Sequence, residues 1–193
     1  LIAKADFTDN AAIDHIQSEW QRIREMLEGH AYHKEHNFHA LLEKKGSTIH
    51  YEAHNDHEHQ EETLKNLQYL LDVIKTSPDP IEAGYQFYLN YRKFVGNNLL
   101  HLREEETKLL PELQRLCTDE ELRAIEHPTY DLMTAEEMVE MVQELFPHMN
   151  FSDKHAFLTD IRLAQPQKFQ QLWHEATKFL NMKEIERFQD IQM

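Results

Sequence analysis

Apolar residues in the first part of the chain recur at alternating steps of three and four, Ile13, Ile16, Trp20, Ile23 and Leu27, and the same phase continues through the polar His30 and, seven residues on, Asn37 to Leu41. That is the repeat of one face of an α-helix. The phase runs through Gly29 unbroken, although glycine costs up to ~1 kcal/mol relative to alanine inside a helix. The pattern predicts one long helix over 11–44, capped by Asp9 or Asn10 and stopped at Lys44-Lys45-Gly46-Ser47. Cations near the carbonyl end and a glycine for the left-handed cap make that stop. A second helix is predicted over 48–75, with Leu64, Leu67, Leu71 and Ile74 inward, broken by Ser77-Pro78-Asp79-Pro80. A third spans 81–116 with the inward phase Phe87, Tyr91, Phe94, Asn98, His101, Glu105, Leu109, and Pro111 is expected to kink it or end it early.

Beyond Cys117 the pattern changes to short pieces, each with its own start signal. Thr118-Asp119-Glu120-Glu121 and Thr134-Ala135-Glu136-Glu137 are capping boxes, Ser152-Asp153 and Pro166 open two more helices, and Asn181 caps a last one. The expectation is an all-α protein: a helical bundle over 1–117 and a helical extension over 118–193 packed on it. Four glycines and six prolines leave little room for a many-turned β-fold.

Charge narrows the function classes. A formal net charge of −15 argues against unspecific nucleic-acid binding, which needs a positive surface. No apolar run approaches ~18 residues, so no membrane span is expected. The single cysteine, Cys117, excludes an internal disulfide framework and fits a reducing cytoplasm, and it reads as a packed residue rather than a nucleophile. His127 beside Pro128 and His148 beside Pro147 read as loop residues without a role.

Histidine is the unusual component. Eight of fourteen (His30, His33, His36, His39, His50, His54, His57, His59) fall between positions 30 and 59. Counting from the turns gives their depth. His30 lies 16 residues before Gly46 and His57 lies 11 after it, while His57 and His101 each lie 22 residues from Asp79. At ~1.5 Å per residue these side chains reach nearly one level. His57 and Glu61 share a helix face, as do His101 and Glu105, because residues four apart are neighbours. Two His-x-x-x-Glu pairs and an inward His30 therefore converge from three helices. Burying such groups together is expensive unless a cation compensates, and nitrogen and carboxylate ligands without thiolate suit iron or manganese and can hold zinc.

These residues resemble a known family. His101-Leu102-Arg103-Glu104-Glu105-Glu106 followed by Leu109-Leu110-Pro111 is similar to the fourth-helix signature of haemerythrin-like (HHE) cation-binding domains. Asp56-His57 with Leu64 and Leu67 resembles the family's third-helix histidine, and His30-Ala31-Tyr32-His33-Lys34-Glu35 with Phe38-His39 resembles its second-helix segment. The tail resembles bacterial members with extra C-terminal helices, through Thr118–Leu122, Phe146-Pro147-His148-Met149, and Ala164-Gln165-Pro166 with Phe169. The resemblance implies an antiparallel four-helix bundle holding one or two iron ions, with zinc or manganese as substitutes. The implied ligand set is His30, Glu35, His57, Glu61, His101 and Glu105.

Two departures from the family pattern stand out. Where the family has a glutamate four residues after the second-helix histidine, this chain has Lys34. Glu35 or Glu61 then supplies the missing carboxylate, or one metal position is weakened or empty. Lys34 is expected to swing out of the site or to replace one metal's charge. In the family a first helix with its own histidine precedes a segment such as 1–6, and that helix is expected to be absent from this chain. The competing reading takes His15 as the first-helix ligand, with a turn at Gly29, and pairs His39 with Glu43 and His50 with His54.

The function implied is binding or sensing of dioxygen, nitric oxide or peroxide, or iron handling. A diiron oxidase or peroxidase stands as the enzyme alternative, and a metal-free helical interaction module with a His-rich surface as the third. The aromatic set Tyr85, Phe87, Tyr88, Tyr91 and Phe94 reads as core packing, with Tyr91 the one to examine beside a bound ligand. The tail is expected to seal a core or a homodimer interface.

Overall fold

A computed structural model describes residues 2–188, with the side chains of residue 50 and residues 52–58 left aside. Every regular element among the described residues is helical. None of these helices is long and apolar enough to cross a membrane. The chain divides into two compact units, Leu1–Cys117 and Thr118–Met193.

The first unit is built on three long helical runs. Asp9 caps α1 (Asn10–His33) by accepting from the Ala11 N–H. The helix does not break at Gly29. It passes through a π-helical segment, Lys34–His39, into α2 (Ala40–Lys44). Gly46 then adopts φ +80°, the left-handed region open to glycine, and Ser47 donates back to the Leu42 carbonyl at 3.0 Å. The reading that needs a turn at Gly29 is thereby corrected, because a continuous apolar phase outweighs one glycine's helix cost. His15, its proposed ligand, is exposed on α1.

The second run is α3 (His50–Val73), tightened at its end into a 3₁₀ turn, Ile74–Thr76. Asp79 caps α4 (Pro80–Glu104), with Pro80 in the first turn where its missing N–H does no harm. A second π segment, Glu105–Leu109, leads into α5 (Leu110–Leu116). Pro111 does not bring an early end to the run, which continues to Leu116. It falls in the first turn of α5, and the irregular hydrogen bonding of the π segment precedes it.

Ile13, Ile16 and Trp20 of α1 meet Leu64, Leu67 and Leu71 of α3 and Phe87 and Phe94 of α4, each at most 4 % exposed. The Trp20 indole sits edge-on to Phe87, Tyr91 and Phe94, and its N–H donates to Gln68 at 2.9 Å. Aromatic packing with a satisfied indole N–H is what such a large buried ring requires. Gly84 is needed where it stands: a Cβ there would lie 2.1 Å from the Phe7 ring.

The second unit contains α6 (Asp119–Leu132), α7 (Ala135–Leu145), α8 (Phe151–Ala164), α9 (Pro166–Ala176) and α10 (Met182–Arg187). The capping boxes at Thr118, Thr134 and Asn181 all form. The α8 cap is Asn150 rather than Ser152. Met138, Val142, Phe146, Leu158, Ile161, Ala176 and Phe188 form a separate core, each fully buried. His127 is not in a loop. Pro128 is accommodated inside α6, where His127 meets Asp160 of α8 at 3.1 Å and Lys168 of α9 donates to the Tyr130 and Met133 carbonyls at 3.1 and 2.7 Å. Those partners hold the end of a helix that proline weakens. His148 closes a 3₁₀ turn.

Candidate metal centre

The two π segments carry the candidate site. A π turn admits one extra residue, so everything after it is rotated relative to the preceding α-helix, and such turns recur at functional sites. In the first run the insertion changes which residues face inward. Leu41, expected inward, is half-buried, while His39 and Leu42 are 5 % and 0 % exposed. In the second run the buried positions step by fours through His101, Glu105, Leu109 and Leu113, wider than an α-helical face allows for long.

Glu105, the first residue of its π segment, is 7 % exposed. Three cationic or imidazole groups approach it. His101 Nε2, one turn earlier, lies 3.6 Å from Oε1. Across the bundle, His30 Nε2 lies 3.7 Å and Lys34 Nζ 3.8 Å from Oε2. Burial pushes the Glu105 carboxyl upward, but His30, Lys34 and His101 together outweigh it and hold the group down at about 2. Oε1 is buried without a hydrogen bond. Such an atom is costly unless something else meets it.

Lys34 does not swing out of the site. Its ammonium also sits over the Phe38 ring, 5.0 Å from the centre, and only 23 % of its side chain is exposed. Nearby, the Nε2 atoms of His33 and His39 are withdrawn from solvent. Desolvation, and then the charges of Lys34 and His30, lower the His33 pKa.

The sequence-predicted residues are thus distributed unevenly. His30, His101 and Glu105 come together. Glu61 does not join them: its side chain is 62 % exposed and pairs with Lys65 at 2.6 Å, one turn along the outer face of α3. Glu35 is half-buried. The expectations for His57, and for His50 paired with His54, lie outside the described residues. Among the described residues no three histidine, cysteine, aspartate or glutamate side chains form a group arranged to hold a metal ion. Two imidazoles on one buried carboxylate with an unsatisfied oxygen are nonetheless a donor chemistry that suits a divalent cation.

Sequence reasoning missed the burial of His39, the half-burial of His33 and the inward position of Lys34. The signal was present only in part: eight histidines between positions 30 and 59 mark the stretch, but the apolar phase carries through it without a visible break. Tyr91 packs on Trp20 and Phe87 in the core, and Tyr85 is exposed. A cleft of about 280 Å³ between α3 and α4 does border the site, lined by His59, Gln60, Asn97, Asn98, His101 and Glu104. Gln60 donates to Asn98 across it. Compared with known proteins, the chain matches no family model, no curated relative and no solved structure.

Proposed function

We propose that the first unit is a haemerythrin-like bundle that binds non-haem iron through His101 and Glu105, with His30 at the carboxylate's other oxygen and His57 as a further imidazole. The observation that carries this reading is Glu105: a buried carboxylate at a π turn, approached by two imidazoles, with one oxygen making no hydrogen bond. The three long helical runs stand for helices of the family's four-helix arrangement. When bound, a ferrous ion with nitrogen and carboxylate ligands supplies an open position for a diatomic molecule or peroxide. Zinc or manganese would serve as substitutes. The chain's own contribution is to hold the carboxylate ionised, to orient His101 from the preceding turn, and to leave a small cleft beside it lined by Phe94 and Leu100 as well as by amide and imidazole side chains.

The test uses the full chain without a histidine tag, stripped by chelator and titrated anaerobically with ferrous ion. Wild type should bind, and His101→Ala or Glu105→Ala should weaken binding at least about tenfold. His15→Ala should leave it unchanged. Undetectable iron in protein from iron-supplemented cells, with no binding on titration, would leave a metal-free helical module. Mixing the reduced protein with oxygen or peroxide then separates reversible binding from turnover, the mark of an oxidase.

A further inference from the structure

The two oxygens of Glu105 have different company. Oε2 faces the Lys34 ammonium at 3.8 Å and His30 at 3.7 Å. Oε1 faces His101 at 3.6 Å and accepts no hydrogen bond. A carboxylate of this kind can bridge two cations, one at each oxygen. Lys34 is well placed to be one of them. It follows His30 by four residues, so the two project from the same helix face one turn apart. Its ammonium is held between the Phe38 ring and the carboxylate and is largely removed from water.

We propose that Lys34 is a built-in cation occupying one of two cation positions at Glu105, so that this chain takes a single divalent ion, on the Oε1 and His101 side. The inference rests on the metal-site reading above and adds its stoichiometry. Bringing a dication to Oε2 would require expelling Lys34 or placing three positive charges within a few ångströms, at low local dielectric. An ion at Oε1 keeps the carboxylate between the two charges. The same lysine lets the site persist without metal, because Glu105 is never a buried charge lacking a counter-ion. A chain with an acidic residue at position 34 would have neither property.

Untagged, chelator-stripped full-length protein is titrated with zinc by calorimetry and with ferrous ion anaerobically, and the bound ions are counted. Wild type should saturate at one ion per chain, and Lys34→Arg should match it. Lys34→Glu should take two. Lys34→Met should still take one, at least about tenfold more tightly, because a repelling charge is gone. Melting in the absence of metal supplies a readout independent of loading: Lys34→Met should melt below wild type, and added zinc should remove most of the difference. Should Lys34→Glu fail to fold by circular dichroism, the Lys34→Met affinity and melting decide alone. Two ions bound by wild type, or a Lys34→Met protein equal to wild type in affinity and metal-free melting, overturns the proposal while leaving a metal site. If no variant binds any ion, the metal-site reading itself falls, and the proposal falls with it.

Discussion

At Tyr130, burial comes first among several influences that act in one direction. The carboxylates of Asp160 and Glu126 and a hydrogen bond to Asp160 add to it, and the phenol is pushed well above the ordinary tyrosine range. At Glu105 burial acts in the same sense but is overcome by cationic neighbours. The contrast is one of company rather than depth. For Tyr130 the sign follows from linkage. Below the unfolded value of about 10 both states hold the proton. Above it the unfolded chain ionises while the fold resists, so stability should fall as pH rises past that point. Denaturant midpoints compared between about pH 9 and about pH 11 should decline more steeply in wild type than in Tyr130→Phe. Equal slopes would remove Tyr130 from the account. None of this was visible from the sequence, where Tyr130 is one tyrosine among seven and Asp160 lies thirty positions away.

The helices themselves were legible, including their caps at Asp9, Thr118, Thr134 and Asn181. What periodicity missed is the irregularity within them. A rule built on 3.6 residues per turn carries its phase past position 34 and arrives at Leu41, whereas the inserted residue brings Leu42 inward. Deleting His36 tests this at the scale of the element. Its side chain is exposed, stacked on Tyr32, so the residue contributes mainly its length to the backbone. Its loss should restore α-helical phase and turn Leu42 about 100° away from the core. The expected cost is ~2–4 kcal/mol, comparable to losing one buried leucine, with metal binding weakened as well. His36→Ala should change little. A deletion variant that melts and binds metal like wild type would mean that the π segment is dispensable.

Across the whole molecule, the two units keep separate cores. Trp20 reports on one and Trp173 packs against the other, and these are the only tryptophans. Phe146 is fully buried in the second unit, so Phe146→Ala should destabilise that unit by ~3–5 kcal/mol. In single-tryptophan variants, Trp173 fluorescence should follow the loss while the Trp20 transition keeps its midpoint. A coincident shift at both probes would show that the units unfold as one.

The amino-acid sequence by itself determined the helical class, the run lengths, the change of pattern at Cys117 and the partnership of His101 with Glu105. Each of these depends on residues within a few turns of one another, where spacing alone sets which side chains share a face. Which distant groups reach Glu105 was decided only in three dimensions. Glu61 and Lys34 both had the spacing to approach or avoid it, and the packing of the helices sent the carboxylate outward to Lys65 and the lysine inward. The physical reason is that spacing fixes only which side chains share a face, whereas whether an ammonium or a carboxylate on that face meets water or a buried partner depends on neighbours that periodicity along the chain does not encode.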